Sequence, residues 1–428
     1  MEKIAFEQLK EELYYEKLEN GLDVYILPKK GFNKTYATFT TKYGSIDNHF
    51  KSFGKDEFTK VPDGIAHFLE HKLFEKEDGD VFQQFSRQGA SANAFTSFTR
   101  TAYLFSSTSH VEKNLETLMD FVQEPYFTEK TVEKEKGIIG QEITMYDDNP
   151  DWRLYYGVIE NMFQKHPVKI DIAGTKESIS HITKDMLYEC YNTFYHPSNM
   201  LLFVVGAVEP TQIMKQIKEN QAKRDYSAQP EIERIFESEI EEVAEKKQVL
   251  KMNVQTPKCI VGIKAPSSTL QGQEMLKKEL SINIMLDILF GKSSVGYTEL
   301  YNEGLIDDSF SYDFSQEQGF GFAMAGGDTK DPEKLANRIT EILNDAKVGT
   351  IFNDDNLIRA RKKKIGAFLR AINSPEYIAN QFTRYAFNDM DLFEVVPVLE
   401  SITVDDIKNA ASDLIDEKRF TVCQVVPK

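Results

Sequence analysis

The sequence predicts a chain built from two copies of a domain that mixes strands and helices. Its 428 residues exceed what one ordinary hydrophobic core holds, so two domains of roughly 200 residues each are expected. Alternating apolar residues predict strands, and apolar residues spaced three and four apart predict helices. The order of these segments in the first half returns in the second half, which indicates a duplication.

Strands and helices of the first half follow from these two patterns. Alternation predicts strands at residues 21–27 and 35–43, and an apolar run predicts a buried strand at 200–205. Helical spacing follows Asp63, a residue type suited to capping the start of a helix. Further helices are expected at residues 80–88, 111–122 and 128–146.

The second half repeats the first at a nearly constant distance. Phe290 in LDILF follows Phe74 in HKLF by 216 residues, and Phe352, just before a predicted long helix, follows Phe127 by 225. Such similar distances indicate a duplicated domain. The expected parts are an N-terminal catalytic domain at residues 1–222, a charged linker at 223–247 and a C-terminal homologous domain at 248–428.

Composition argues against several function classes. The net charge of −17 argues against nucleic acid as a partner, because phosphate binding requires clustered Lys and Arg. The longest apolar run, residues 200–208, is too short to span a bilayer, so no membrane is expected. The densely charged N-terminus shows no secretory signal, and the three cysteines have no ligand-like spacing. We therefore expect a cytoplasmic protein with reduced thiols.

A candidate metal site lies in the segment AHFLEHKLFE, residues 66–75. In a helix, His67 and His71 lie one turn apart on the same face, and Glu70 projects from nearly the same side. Two imidazoles so placed can bind one metal ion, and the carboxylate can take a proton from a water molecule at the metal. The alternative is a surface helix that carries two ordinary histidines.

A third ligand is needed, because catalytic zinc sites typically have three protein ligands. Glu133 lies early in the helix expected at residues 128–146, and Glu135 and Glu142 are near it. Spacing alone does not choose Glu133 over Glu135 or Glu129, and Glu133 could instead be a solvated charge in a Glu-Lys run. A His-His-Glu set would favour zinc.

The second half lacks the corresponding groups. The residues that match His67, Glu70, His71 and Glu133 are Asn283, Leu286, Asp287 and Ile358. Any metal site therefore belongs to the first half alone.

Beyond the candidate metal site, the sequence resembles the pitrilysin and insulin-degrading-enzyme family of metallopeptidases. The segment from His67 to His71 has the inverted zinc motif of that family, His-x-x-Glu-His. The segments that look like family landmarks are KYGSID (42–47), GIAHFLEHKLFE (64–75), SANAFTSFTRTAYLFSS (91–107), EKEKGIIGQEI (133–143), AGTKESI (173–179) and FYHPSNMLLFVVG (194–206). The likeness is greatest to bacterial members, and it covers the second half by fold pattern.

The resemblance implies a fold and a zinc chemistry. The fold is α+β, with two homologous domains that are each a mostly antiparallel sheet covered by helices, together forming a clam-like half-chamber. One zinc ion per chain would be bound by His67, His71 and Glu133, the last as the first glutamate of a Glu-x-Glu-(Lys/Arg) pattern. Glu70 would be the general base of a zinc metalloendopeptidase that hydrolyses extended peptides or unfolded segments.

The resemblance also implies a strand that binds substrate. Asn93, Ala94 and Phe95 resemble the family's edge strand, on which a peptide adds as an extra strand through main-chain hydrogen bonds. From the residues alone, Asn93 could equally be a turn residue between strands.

One segment departs from the family pattern. Active members usually present an arginine and a tyrosine from a second-half domain, and this pair holds the substrate carbonyl group. The matching segment LYNEGLID, residues 300–307, has Tyr301 in place of the arginine and Asp307 in place of the tyrosine. We expect a homo- or heterodimer with a second family subunit. The missing pair favours the heterodimer, in which this chain is the zinc subunit and a partner without zinc ligands supplies the arginine and the tyrosine.

Two other functions compete with peptide hydrolysis. The chain could be a non-catalytic peptide-binding or assembly subunit, although its retained His67, Glu70, His71 and Glu133 argue against that function. It could also be a metal-dependent lyase with the same motif. Such lyases are much shorter and use a cysteine as third ligand, and no cysteine here matches that position.

Overall fold

A computed structural model describes residues 1–77, 79–226 and 228–428 of the chain. The described residues form two compact units, and each unit contains segments from both halves of the sequence. The first unit comprises Met1–Ile143, Ile170–Phe236 and Ala371–Phe387, and the second comprises Thr144–Lys169, Glu237–Arg370 and Asn388–Lys428.

Runs of strands and runs of helices follow one another along the described residues. The strands are β1 (Glu2–Phe6), β2 (Glu11–Lys17), β3 (Asp23–Pro28), β4 (Thr35–Thr41), β5 (His49–Lys51), β6 (Phe58–Lys60), β7 (Glu75–Lys76), β8 (Gly79–Asp80), β9 (Ala90–Thr96), β10 (Thr101–Ser107), β11 (Met200–Gly206), β12 (Lys247–Met252), β13 (Lys258–Lys264), β14 (Ser311–Glu317), β15 (Phe320–Asp328) and β16 (Phe420–Pro427). The α-helices are α1 (Ile65–Leu73), α2 (Val81–Arg87), α3 (Val111–Gln123), α4 (Glu129–Asp148), α5 (Pro150–Met162), α6 (Lys176–Ser180), α7 (Lys184–Phe194), α8 (Pro210–Gln221), α9 (Gly272–Phe290), α10 (Val295–Asn302), α11 (Pro332–Val348), α12 (Asp354–Ala371), α13 (Pro375–Ala386), α14 (Val395–Ser401) and α15 (Val404–Leu414). None of these described helices is long and apolar enough to cross a bilayer.

The first unit is built on a seven-stranded sheet in the order β1-β2-β3-β11-β4-β10-β9. Strands β3 and β11 are parallel, and the other neighbouring pairs are antiparallel. Every residue of β4 and β11 is buried, because these central strands are covered on both faces. Strand β9 lies at the edge, with Thr96 opposite Thr101 of β10.

The second unit repeats this topology in a five-stranded sheet, in the order β12-β16-β13-β15-β14. Strands β12 and β16 are parallel and the others antiparallel, as are their counterparts β3, β11, β4, β10 and β9. This confirms the α+β fold class with two similar domains. The first unit adds the hairpin of β1 and β2, which the alternation pattern did not predict.

Two helices explain why the units do not follow a single cut of the sequence. Helix α13, from the second half, packs on β4 and β11 of the first unit, where Phe382 lies 4.7 Å from Phe203 between ring centroids. Helix α5, from the first half, packs on β13 and β16 of the second unit. The domain limits at residues 222 and 248 therefore remain a prediction about the duplication, not a description of the compact units.

The segment predicted as a linker, residues 223–247, is anchored within both units. In the first unit, the Arg234 side chain donates to the Asp47 carboxylate at 2.7 Å and to the Lys42 carbonyl oxygen at 2.6 Å. In the second unit, the Glu239 carboxylate accepts from the Lys264 ammonium at 2.7 Å. These hydrogen bonds tie the charged segment to folded elements along its length.

Candidate metal and active site

Helix α1 sets the orientation of the two histidines. It begins after Gly64, whose φ of 88° favours glycine, and a Cβ at this position would lie 2.4 Å from the Ala173 carbonyl oxygen. Phe68 and Leu69 are fully buried and fix the helix against the core. The expected N-cap role of Asp63 is not found, because its carboxylate instead accepts from the Asn48 amide at 2.8 Å.

The two histidine rings converge on a carboxylate from α4. The ring centroids of His67 and His71 lie 4.6 Å apart, with the ring planes at 65°. The Nε2 atom of His67 lies 3.8 Å from one oxygen of Glu142, and that of His71 lies 3.6 Å from the other. One ligand atom from each residue lies within 4.8 Å of the other two, which is close enough for a shared metal ion.

The structure does not bring Glu133 into this cluster. The Glu133 side chain is 70% exposed and forms an ion pair with Lys136 at 2.6 Å. Glu133 and Glu142 lie nine residues apart, which is two and a half helical turns, so their side chains leave α4 on opposite sides. Glu142 takes the place that the family resemblance implied for Glu133.

Glu135 lies behind the cluster and contacts the other nitrogen of one histidine. Its carboxylate is 3.1 Å from Nδ1 of His71 and 4.0 Å from the ammonium of Lys72, which is fully buried. A proton on Nδ1 would therefore be held by Glu135, which leaves Nε2 of His71 free to bind a metal. Lys72 also pairs with Glu75.

Burial and charge set the protonation of the histidines. Burial, with the neighbouring His71, lowers the pKa of His67 to about 3, so this imidazole is neutral near pH 7, as a metal ligand must be. Burial alone would also lower the pKa of His71, but the hydrogen bond with Glu135 and the charges of Glu70 and Glu142 raise it overall. The carboxylates of Glu70, Glu135 and Glu142 thus favour positive charge at His71.

Glu70 lies between the histidines on the same helix and faces strand β9. It is 8% exposed, and its Oε2 atom accepts a hydrogen bond from the Thr96 hydroxyl at 2.7 Å. Burial raises the pKa of Glu70 against the opposing effects of Thr96 and His71. A carboxylate with a raised pKa beside a metal cluster is suited to receive a proton.

The predicted substrate-binding residues lie on the edge strand β9, beside this cluster. No strand of the described residues pairs with the outer edge of β9. Asn93 is exposed, and its side-chain oxygen accepts from the backbone N–H of Ala94 at 2.9 Å. Phe95 lies under the guanidinium of Arg100, 5.8 Å from the ring centroid.

A cleft of about 680 Å³ runs from the cluster to this strand. Its walls include residues of α1, α4 and β9, among them Glu70, His71, Phe74, Asn93, Ala94 and Ile138. An extended chain lying along β9 would therefore pass next to Glu70.

The second unit holds an ion pair at one of the matching positions. Oδ1 of Asp287, which matches His71, accepts from the Tyr312 hydroxyl and from the Lys363 ammonium, each at 2.5 Å. Within the described part of the chain, no further group of three such ligands comes as close together as the cluster in the first unit.

The two residues that depart from the family pattern lie at the surface. Tyr301 lies in the last turn of helix α10 with 59% of its surface exposed. The Asp307 carboxylate accepts from the backbone N–H of Ser309 at 2.9 Å and from its hydroxyl at 2.6 Å. Neither residue supplies the cation that an arginine at position 301 would carry.

A duplicated α+β chain with an inverted His-x-x-Glu-His helix is typical of zinc-dependent proteases. Two family models match this chain: "Insulinase (Peptidase family M16)" at residues 57–176 and "Peptidase M16 inactive domain" at residues 181–364. The uncharacterised zinc protease YmfH of Bacillus subtilis is 67% identical over 425 residues, which are 99% of each chain. The chain therefore belongs to the insulinase family, peptidase family M16.

A solved structure and a more distant relative are also similar to this chain. The crystal structure of an M16-like peptidase from Alicyclobacillus acidocaldarius has a TM-score of 0.94 at 38% identity, and it covers 98% of this chain and 99% of its own. A protein of Arabidopsis thaliana named for subunit beta of mitochondrial processing peptidase is 28% identical over 160 residues. That match covers 36% of this chain and 30% of the plant protein.

Proposed function

We propose that this chain is a zinc-dependent metalloendopeptidase in which His67, His71 and Glu142 hold one zinc ion and Glu70 is the general base. The observation that carries the proposal is the convergence of two Nε2 atoms and one carboxylate within 4.8 Å, with Glu70 between the histidines. Glu142 replaces Glu133 in this proposal because Glu142, unlike Glu133, lies near Nε2 of both histidines.

The donor set fits zinc. Two neutral imidazole nitrogens and one carboxylate oxygen are ligands that catalytic zinc sites combine. Glu135 would orient His71 through its Nδ1 atom, as outer carboxylates do in many zinc sites. Bound zinc would supply a Lewis acid that makes water more acidic and polarises the peptide carbonyl group.

Glu70 would move the proton that hydrolysis requires. Its carboxylate takes a proton from the attacking water as the new C–O bond forms at the peptide carbon. The same group then gives this proton to the amine nitrogen as the C–N bond breaks, so the base is regenerated. Glu70 is buried on α1 beside β9, which keeps its carboxylate in the position that both proton transfers need.

The substrate class follows from strand β9. Its open edge would hydrogen-bond to the backbone of an added strand, with Asn93, Ala94 and Phe95 as the binding residues. Only an extended chain can pair in this way, so peptides and unfolded segments are the proposed substrates. Because backbone groups carry the contact, many sequences would be accepted.

The chain would act with a second family subunit in the cytoplasm. Tyr301 and Asp307 replace the arginine and tyrosine expected to hold the substrate carbonyl, so a partner would supply that pair. One relative is itself named as a subunit. The alternative is a non-catalytic peptide-binding or assembly subunit, which the same departure at Tyr301 and Asp307 favours.

A quenched fluorescent peptide library tests the hydrolytic function. The zinc-loaded wild-type chain, assayed with a partner subunit, should cleave extended peptides, and a chelator should abolish cleavage. Glu70→Gln should keep its zinc and lower turnover by about 10²–10⁴-fold. Glu133→Gln is the matched control on the exposed face of α4 and should keep full turnover. Wild-type turnover in Glu70→Gln would contradict the role of Glu70, and peptide binding without cleavage by the wild type would favour the non-catalytic alternative.

A further inference from the structure

Thr96 is the last residue of the edge strand, and it joins that strand to Glu70. Its hydroxyl donates to Oε2 of Glu70 at 2.7 Å. Helix α1, which carries Glu70, packs directly on β9.

We propose that Thr96 is a positioning residue that holds the Glu70 carboxylate for proton transfer and couples it to the strand on which substrate binds. This inference rests on the proposed function. With Oε2 held by Thr96, the second oxygen, Oε1, is the one left to receive the proton. The torsion at the end of a glutamate side chain is broad, so an unheld carboxylate would sample many orientations.

The position of Thr96 also explains why the hydrogen bond to Glu70 comes from strand β9. Thr96 follows Phe95 directly, so its backbone moves with the residues proposed to contact the peptide. A peptide that pairs with β9 would hold the strand in place. The Thr96 hydroxyl would then hold the Glu70 carboxylate at a fixed position relative to that peptide. Substrate alignment and base alignment would thus depend on one rigid element.

Kinetics of substituted chains separate this role from a structural one. Thr96→Val keeps the shape and strand propensity of the side chain but removes the hydroxyl, whereas Thr96→Ser keeps the hydroxyl. We expect Thr96→Val to lower kcat by about tenfold to a hundredfold with little change in KM, and Thr96→Ser to restore most of the loss. Thr99→Val, in the adjacent turn, is the matched control and should behave as the wild type.

A double substitution tests whether Thr96 acts through Glu70. In the Glu70→Gln background, Thr96→Val should cause no further loss of kcat, because the base is already absent. Wild-type kcat in Thr96→Val, equal loss in Thr96→Ser, or a full additional loss in the double variant would each overturn the inference. If Thr96→Val does not fold, Thr96→Ala takes its place with the same expectation. If Glu70→Gln retains full turnover, the proposed function fails, and this inference fails with it.

Discussion

At the scale of single residues, the candidate site joins two histidines and Glu70 of α1 to a carboxylate of α4. His67, Glu70 and His71 lie within one helical turn, so local spacing alone places them together. The third carboxylate comes from another helix, and spacing in sequence cannot rank Glu133 against Glu142. The angular positions of the glutamates around the axis of α4 could have ranked them as candidate ligands.

The helical repeat shows which glutamates of α4 lie on the same face of the helix. Glu135 and Glu142 lie seven residues apart, which is close to two full turns, so both face the histidines. Glu133 lies on the opposite side and meets solvent. Thr96 carried no sequence signal, because its role depends on the packing of α1 against β9.

Removing the third carboxylate should remove the metal. Glu142→Gln should weaken zinc binding by at least about a hundredfold, because loss of a direct ligand exceeds the effect of an outer partner. Glu133→Gln, the same change on the opposite face, should leave zinc affinity unchanged. Competition with a chromogenic chelator measures both. Equal affinities in the two variants would contradict the assignment of Glu142.

Removing the outer carboxylate should weaken the metal without abolishing its binding. Glu135→Gln loses the charge that holds Nδ1 of His71, so zinc affinity should fall by about 10–100-fold. Lys72 would keep Glu75 as a partner, so the fold should persist. The same chelator competition, with circular dichroism as a check on folding, gives the result. An unchanged affinity would show that Glu135 does not orient His71.

At the scale of elements, alternation and helical spacing predicted strands β3, β4 and β11 and helices α1 to α4, but not the partners on which they pack. The hairpin of β1 and β2 was missed because its residues are densely charged, and α5 was not predicted. The packing of α5 and α13 with the opposite half of the sequence depends on tertiary contacts, which periodicity does not report.

The anchored linker gives a prediction about stability and pH. Burial alone would raise the pKa of Glu239, but hydrogen bonds from Lys264 and from three backbone N–H groups lower it to about 2. A carboxyl group with a lowered pKa in the folded state stabilises the fold above its unfolded pKa of about 4.5, and this contribution is lost as pH falls towards 2.

Glu239→Gln should therefore destabilise the chain near neutral pH and make less difference in acid. We expect the free energy of unfolding to fall by about 1–3 kcal/mol at pH 7. The difference in unfolding free energy between the variant and the wild type should narrow as pH falls from about 4.5 to 2. Glu237→Gln, at a more exposed ion pair, should change little. Thermal unfolding across this pH range measures both variants, and a gap that widens in acid would contradict the account.

At the scale of the whole molecule, the duplication and the family were predictable because both depend on features of the sequence: the order of the predicted segments and the family motifs. The repeated sheet topology confirms the first, and the match of 67% over 425 residues confirms the second. Partner dependence stays a prediction, since it rests on Tyr301 and Asp307 and on no observed second chain.

Partner dependence can be measured directly. Adding a second family member that carries the arginine and tyrosine should raise peptide cleavage by roughly a hundredfold, the size of effect that one or two carbonyl-binding donors supply. A partner with both residues replaced by alanine is the control and should give no increase. Full activity of the purified chain alone would contradict the need for a partner.

The metal cluster itself is the central claim, and anomalous X-ray diffraction at the zinc absorption edge tests it most directly. Crystals of the zinc-loaded chain should show one anomalous peak in the first unit, within bonding distance of Nε2 of His67, Nε2 of His71 and a carboxylate oxygen of Glu142. A peak bound by Glu133 in place of Glu142, or no peak between the two histidines, would contradict the account.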